Sequence, residues 1–278
     1  MIPAHLDESL DLQTLVEGLD HVEGVCWDPV RHCVWAGGEA GQLYRVELDG
    51  TLEVVQVVDG AQFLGLALDA DGALYCCDVG HGRVWRIDPG SAPERYGEAI
   101  GYPNYPVFGP DGTLYVSDSG SFVEATGSIV AIGPDGSSTR LDVAPIAYAN
   151  GLAINEEHLY FIESSRPGVS RVDLAGGPAE SVVVMERCVP DGLAFDERGD
   201  LYISCYQPNQ LWRLSSGELR CLLDDWTGEF VLSPTNVAFY GEHLDRLVLA
   251  SLCGHSLTTI DVGARGAEVA RPRVRSST

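Results

Sequence analysis

Six copies of one short pattern constrain the fold of this chain more than any other feature of its sequence. Each copy has a lead residue, an apolar run, a turn and then a second apolar strand. The copies are EGVCWDPVRHCVW, LGLALDADGALY, NYPVFGPDGTLY, NGLAINEEHLY, DGLAFDERGDLY and NVAFYGEHLDRLV. Most copies continue into a third strand, as in GQLYRVEL and NQLWRL. Regular repetition of short strands is typical of a ring or array of small sheets.

The spacing of the copies predicts the architecture. The lead residues are Glu23, Leu64, Asn104, Asn150, Asp191 and Asn236, at intervals of 41, 40, 46, 41 and 45 residues. The last two copies need a slip of about one residue at most to align. Such a repeat has room for four strands, so we predict an all-β fold, a six-bladed β-propeller formed as a single domain by residues 1–278. Each blade buries its faces only against its neighbours, so the ring has to close. We expect the segment DLQTLVEGL to complete the last blade, with the C-terminal tail outside it.

The charge of the chain excludes several classes of partner. The 278 residues include 17 Lys and Arg against 41 Asp and Glu, a net charge of −24. This charge repels phosphate backbones and anionic lipid, so we expect neither nucleic acid nor a membrane surface as a partner. No apolar stretch approaches the roughly 20 residues that span a bilayer. The N-terminus lacks a basic region followed by an apolar one, so we expect a cytoplasmic protein.

The eight cysteines give no sign of a metal site or of disulfides. They show neither a CxxC motif nor a zinc-ligand spacing. We therefore expect reduced thiols that are mostly buried in the core.

The lead residues themselves predict a binding site. The first strand of each propeller blade lines the central channel, so the six lead residues form a ring around one mouth. Two of them carry carboxylates and three carry carboxamides. Crowded, desolvated carboxylates repel one another unless a positive charge lies among them, and hard cations prefer such oxygen ligands. Asp and Asn also cap turns, but five such residues in six equivalent positions favour a cation site. Asn236 is the least certain member of this ring of candidate ligands, and its alternative roles are to bind substrate or to hold its own loop.

At these residues the chain resembles the regucalcin/gluconolactonase family of six-bladed propellers and, more distantly, diisopropylfluorophosphatase and the paraoxonases. The resemblance covers nearly the whole chain and is carried by EGVCWD, ANGLAI and VPDGLAFDERGDLYISCY. It implies that Glu23, Asn150 and Asp191 are ligands of one divalent metal ion and that Asn104 lies beside it. It also implies a lactonase or related ester hydrolase, with calcium as the expected ion and zinc, manganese or magnesium as alternatives.

One stretch departs from the family pattern. The family's sugar lactonases have an Arg two residues before the Asn beside the metal and an Asp directly after it. Here the stretch is GYPNYP, with Tyr102 and Tyr105 in those places. Two tyrosines offer flat apolar surface with a polar tip, which favours a less polar or aromatic lactone or ester over an aldonolactone. The alternative is that both tyrosines pack their loop.

Residue roles follow from the same reasoning. We expect Asp191 to be the catalytic carboxylate that also handles protons, with Glu23 purely a ligand. Loops returning to the metal face carry His81 and His255, which are candidates for substrate binding or proton transfer. His21, two residues before Glu23, is a further candidate at the rim. Four aromatic residues lie in loops that enter the metal face and either form walls of the site or pack in the core: Phe63, Tyr148, Trp226 and Phe230.

The leading hypothesis is a metal-dependent lactonase or related ester hydrolase with a small-molecule substrate. The chain has no GxSxG elbow, P-loop or dinucleotide fingerprint. Two alternatives stay open. One is a non-hydrolytic isomerase, lyase or condensing enzyme on the same metal-bearing propeller. The other is a non-catalytic calcium-binding propeller that binds a protein by its rim.

Overall fold

A computed structural model of the chain describes residues 5–6 and 10–274. Within these residues, 25 strands form six antiparallel sheets. The first strands of successive sheets contact one another in sequence, and the first strand of the last sheet contacts that of the first. The predicted six-bladed β-propeller is therefore confirmed, with these first strands around the central channel.

The strand bounds follow the repeat. Two strands precede the first blade: β1 (His5–Leu6) and β2 (Asp11–Glu17). Blade 1 contains β3 (Gly24–Asp28), β4 (Cys33–Gly37), β5 (Gln42–Glu47) and β6 (Leu52–Val57). Blade 2 contains β7 (Phe63–Leu68), β8 (Leu74–Asp78), β9 (Arg83–Ile87) and β10 (Glu94–Tyr96). Blade 3 contains β11 (Pro103–Phe108), β12 (Leu114–Asp118), β13 (Ser128–Ile132) and β14 (Ser138–Arg140). Blade 4 contains β15 (Ala149–Asn155), β16 (His158–Glu163), β17 (Gly168–Asp173) and β18 (Glu180–Val184). Blade 5 contains β19 (Val189–Phe195), β20 (Leu201–Gln207), β21 (Gln210–Ser215) and β22 (Glu218–Asp224). Blade 6 contains β23 (Pro234–Tyr240), β24 (Arg246–Ser251) and β25 (Ser256–Asp261).

The two N-terminal strands complete the last two blades. Strand β2 pairs antiparallel with β25 and becomes the fourth strand of blade 6, as the segment DLQTLVEGL predicted. Strand β1 adds a short fifth strand to blade 5 by pairing with β22. The ring also closes on its inner side, because Asn236 N and Thr235 Oγ1 both donate to the Glu23 carbonyl, at 3.2 and 2.9 Å.

The hydrophobic core is divided among the interfaces between blades. Six clusters of buried side chains lie in the described residues, one at each interface. Aromatic edge-to-face contacts join neighbouring blades, as between Tyr75 and Phe108 at 4.8 Å and between Tyr202 and Phe239 at 5.4 Å. All eight cysteines are free and five are buried, as expected. In the described part of the chain, no helix is long and apolar enough to cross a membrane.

Glycine after the lead residue lets the first strands approach one another closely. A Cβ on Gly24 would lie 1.9 Å from the Leu64 carbonyl oxygen, and one on Gly151 would lie 2.3 Å from that of Asp191. No side chain fits in either place, so a blade can meet its neighbour only backbone to backbone there. We call the mouth where the first strands begin the upper mouth, and the opposite one the lower mouth.

The C-terminal tail lies outside the last blade, as predicted, and crosses the lower mouth. Ala267 N donates to the Phe195 carbonyl at 2.9 Å, and Ala70 N donates to the Pro272 carbonyl at 3.0 Å. The tail thus runs from blade 5 to blade 2. Val274 is buried in the core cluster between blades 2 and 3.

We predict that Gly24→Ala lowers the free energy of unfolding by about 1–3 kcal/mol, because the new Cβ forces blades 1 and 2 apart. Thermal unfolding followed by circular dichroism measures the change. The matched control is Gly101→Ala, whose Cβ meets nothing closer than the Asp118 carboxylate at 3.5 Å. Equal midpoints for the two variants would contradict the proposed backbone contact.

Candidate functional site

Four lead residues bring buried polar side chains to the upper mouth. Glu23, Asn104, Asn150 and Asp191 all lie at the starts of first strands and are at most 8% exposed. Asn150 Nδ2 donates to Asp191 Oδ2 at 3.1 Å, so two of the predicted metal ligands are in direct contact across blades 4 and 5. Glu23 is close enough for the Asp191 charge to act on its carboxyl. The structure therefore gathers side chains from separate blades at one mouth.

Strand irregularities position these side chains. The pairing of β11, β15 and β19 with the second strands shifts register at the lead residue. A bulge of this kind re-aims the side chains at a strand end. Strand β23 has the same shift between Pro234 and Val237. Its register aligns Thr235 with Asp191, so Asn236 lies one residue further along, in the place of Gly192. The slip of about one residue that the sequence alignment allowed in this copy is therefore present, and Thr235 is the equivalent of Asp191.

Serine residues directly after the second strands hold the lead segments, and sequence reasoning missed them. Ser164 Oγ donates to the Pro190 carbonyl at 2.7 Å and accepts from Asn150 Nδ2 at 3.2 Å. Ser119 Oγ donates to the Ala149 carbonyl at 2.7 Å in the same way. The available signal was the recurrence of serine after the second strand, in SDSG and IESS.

Several buried acceptor atoms at the mouth have no hydrogen-bond partner within the described residues. They are Asn104 Oδ1, Asn150 Oδ1, Asp191 Oδ1 and Asn236 Oδ1; the Asn236 amide nitrogen, a donor, is also unpaired. Each unpaired buried polar atom costs about 1–3 kcal/mol, so the set indicates a missing partner. Among the described residues no three His, Cys, Asp or Glu side chains converge on one point. The donor set is instead two carboxylates with carboxamides, which suits a hard divalent cation.

Without a cation, burial disfavours the charged forms of Glu23 and Asp191. Burial raises the pKa of Glu23 well above its usual range, and the charges of Asp191 and Glu39 raise it further. Burial raises the pKa of Asp191 to about 7, although the hydrogen bond from Asn150 opposes this shift. A bound cation would favour the charged form of both groups.

Aromatic side chains form a wall on one side of the mouth. The rings of Tyr102 and Phe122 lie 6.1 and 5.1 Å from that of Tyr148. We call these three residues the aromatic wall. Burial raises the pKa of Tyr148, and the charges of Glu23 and Asp191 are near enough to its phenol to add to this shift. Tyr102 is 38% exposed, so it is available to a ligand.

The other predicted aromatic residues divide between surface and core. Trp226 and Phe230 are exposed in the loop that enters blade 6 at the upper mouth. Phe63 is fully buried between blades 1 and 2, so its assignment as a wall of the site is wrong. Its position at the start of β7 turns it away from the channel into the core. Tyr105 is only 8% exposed and lies inside the channel, where the Asp191 charge acts on its phenol.

The predicted histidines fall into two groups. His255 and His21 come together, with ring centroids 5.3 Å apart. His255 Nδ1 donates to the Leu19 carbonyl at 3.0 Å, which leaves Nε2 as an acceptor. His21 Nδ1 contacts Asp20 Oδ1 at 2.8 Å, a partner that the sequence reasoning did not name. His81 lies apart from this pair, with Nδ1 2.6 Å from Oδ2 of the buried Asp78.

Comparison with known proteins identifies the family. The model of the SMP-30/Gluconolactonase/LRE-like region matches residues 4–119 and 101–252. The chain belongs to this family. The lead-residue motifs predicted this membership, and the matched residues include all six lead residues. No curated protein matches the chain.

Solved structures share the fold at low identity. A gluconolactonase from Xanthomonas campestris is 20% identical, with a TM-score of 0.78 over 94% of this chain and 95% of that one. Regucalcin from Agrobacterium tumefaciens, described as a calcium-binding protein, is 18% identical, with a TM-score of 0.79 over 96% and 98%. Virginiamycin B lyase from Staphylococcus aureus, with quinupristin, is 16% identical, with a TM-score of 0.70 over 91% and 100%. These similarities show the shared propeller.

We predict that metal-free protein loses stability as the pH rises from about 4 to about 7, because the folded-state pKa of Asp191 lies above the usual value of about 3.9. Below this window the carboxyl is neutral in both states, and above it a buried charge opposes folding. Calcium should therefore raise the unfolding midpoint more at about pH 8 than at about pH 5. Asp191→Asn should reduce that difference, and the part that remains should come from Glu23, whose pKa burial also raises. An equal increment at both pH values in the unmodified protein would contradict the assignment.

Proposed function

We propose that this protein is a divalent-metal-dependent hydrolase that opens a lactone or a related ester of low polarity. The observation that carries the proposal is the set of buried, unpaired acceptor atoms at the upper mouth, beside an aromatic wall. Family membership supports the proposal, because relatives include a gluconolactonase.

Glu23, Asn150 and Asp191 would hold the metal ion, with Asn104 beside it. Calcium is the ion we propose, in line with the regucalcin relative that is described as calcium-binding, and zinc, manganese or magnesium are the alternatives. A divalent ion at this mouth supplies a Lewis acid that polarises a substrate carbonyl and lowers the pKa of a bound water.

Side chains at the upper mouth would carry out proton transfer and substrate binding. Asp191 uses Oδ2 to accept a hydrogen bond from Asn150, which fixes the carboxylate and leaves Oδ1 unpaired. We assign to Asp191 the transfer of a proton from the attacking water to the leaving alkoxide. Asn104, also with an unpaired Oδ1, orients the substrate. His255 Nε2 and the adjacent His21 ring are available to bind its polar groups at the rim.

The surroundings of the mouth favour an apolar acyl or alcohol part. Tyr102 replaces the arginine that grips sugar acids in related lactonases, and it joins the aromatic wall. Across the mouth, Trp226, Phe230 and Leu232 are each at least 40% exposed. Apolar surface on two sides fits an aromatic or aliphatic lactone better than a polyhydroxylated one. Tyr105, beneath the carboxylates, forms the floor of the site.

An elimination reaction is the second candidate. The propeller is similar to that of virginiamycin B lyase, and the same aromatic wall would accommodate a large apolar substrate. Elimination needs a proton to be removed beside a polarised carbonyl and adds no water. The products therefore distinguish the two reactions, because only hydrolysis incorporates solvent oxygen.

We predict that chelator-treated protein is inactive against a panel of aryl esters and lactones, and that calcium restores turnover. Asp191→Ala should reduce kcat/KM by about 10³-fold or more, because it removes a ligand and the proton acceptor. Asn104→Ala should lower kcat/KM while retaining calcium, measured by equilibrium dialysis. The control is Asp135→Ala, an exposed acid on a lower-face turn.

Three outcomes would contradict the proposal. Full turnover by metal-free protein would exclude the assigned metal role. Equal loss of calcium in the Asn104→Ala and Asp191→Ala variants would exclude a separate substrate role for Asn104. Stoichiometric calcium without turnover of any ester or lactone would favour the non-catalytic alternative.

A further inference from the structure

The lower half of the channel contains a cavity that the proposed reaction does not use. Its volume is about 300 Å³, at the lower end of the range for small-molecule sites. Its wall includes one small or medium side chain from each of the six first strands: Cys26, Ala67, Val107, Ala153, Ala194 and Ala238. The short side chains leave the space open, and the wall is mainly apolar.

Tyr105 separates this cavity from the candidate metal site. It occupies the position that is glycine in four other blades, so one blade alone projects an aromatic ring there. Tyr105 lines the cavity, and both the Cys26 thiol below and the Asp191 carboxylate above act on its phenol. The cavity is therefore a compartment distinct from the upper mouth.

The C-terminal tail closes part of the lower side and contributes one positive charge. Arg271 lines the cavity, and its Nη2 donates to the Trp27 carbonyl at 3.2 Å. In residues 10–274, no carboxylate lies within salt-bridge distance of Arg271, in a chain with 41 acidic and 17 basic residues. Arg273, two residues on, does pair with an acid, Asp71, at 3.4 Å. Desolvation lowers the pKa of Arg271, opposed in part by Cys26, Asp28 and Glu268.

We propose that this lower cavity is a second ligand site that binds a small amphipathic carboxylate, with its apolar part in the channel and its carboxylate on Arg271. A guanidinium with unused donors matches a carboxylate in geometry as well as charge. The apolar wall on one side and the partial burial of Arg271 limit the access of water to the pair, which strengthens it. A ligand of roughly ten non-hydrogen atoms suits the volume. The proposal goes beyond the hydrolase function and does not depend on it.

The charges around the opening favour an anion over a cation. Glu156 and Glu268 also line the cavity, but both are exposed and remain hydrated. Their attraction for a cation is screened by water, whereas Arg271 is partly buried and gains more from a partner. An alkylamine of the same length is therefore the informative competitor.

The test is isothermal titration calorimetry of the full-length, calcium-loaded protein with octanoate as the probe. We expect one octanoate per chain, bound at least about tenfold more weakly by Arg271→Gln than by the unmodified protein. Arg273→Gln, the matched control on the same tail, should bind within about twofold of the unmodified protein. Octan-1-ol and octylamine should bind at least about tenfold more weakly than octanoate.

Two further variants assign the binding to the lower cavity. Ala238→Leu fills the channel and should abolish octanoate binding, while far-ultraviolet circular dichroism shows that the fold persists. Asp191→Ala and metal removal should leave octanoate affinity unchanged, because both act at the upper mouth. Lactone turnover should be unaffected by Arg271→Gln, so this result does not depend on the fate of the hydrolase proposal.

Four results would overturn the proposal. They are the absence of octanoate binding at millimolar concentration, equal weakening by Arg271→Gln and Arg273→Gln, octylamine binding as tight as that of octanoate, and loss of octanoate binding in Asp191→Ala. The last would place the carboxylate at the upper mouth.

Discussion

Closure of the ring is the constraint on which the rest of this structure depends. Each blade buries its faces against two neighbours, so the first and last blades each leave a face exposed until they meet. That junction uses the backbone carbonyl of Glu23, which accepts hydrogen bonds from Thr235 Oγ1 and Asn236 N. The residue that closes the ring on its inner side is therefore also the residue that presents a carboxylate to the channel. The hydrogen bonds to Glu23 therefore both close the ring and hold a side chain of the candidate site.

The channel is divided into two environments by the same backbone geometry. Glycines after the lead residues let the first strands approach closely, which concentrates polar side chains at the upper mouth. Further down, short side chains leave an apolar space. Tyr105 stands between the two because blade 3 has a tyrosine where four other blades have glycine. The buried, unpaired oxygens above are costly to folding, and it is this cost that a cation would remove.

The blades, the strand that closes the ring and the lead residues could be predicted from the sequence. A repeat can be recognised along the chain without knowing which distant residues are in contact. The turn-and-lead pattern gave the six blades, and the apolar alternation in DLQTLVEGL gave the strand that completes the last one. The buried lead residues Glu23, Asn150 and Asp191 were found in the same way.

The predictions that the structure changed concern local details of single blades. Strand β23 pairs one residue further before its turn than β19 does, so alignment on the turn placed the lead of blade 6 at Asn236 and not at Thr235. Phe63 is apolar and adjacent to a lead residue, so its burial between blades could not be distinguished from a place in the wall.

Contacts between distant parts of the chain were also beyond the sequence. The approach of His255 to His21 follows from the meeting of blades 6 and 1, and the path of the tail follows from its backbone hydrogen bonds to Phe195 and Ala70. No local motif marks either contact.

The most direct measurement is anomalous diffraction from crystals of the protein grown with calcium and, in parallel, with manganese. We expect a single ion at the upper mouth, with oxygen atoms of Glu23, Asn150 and Asp191 at about 2.3–2.6 Å from calcium. An anomalous peak elsewhere, or an upper mouth in which these three side chains bind no common ion, would contradict it.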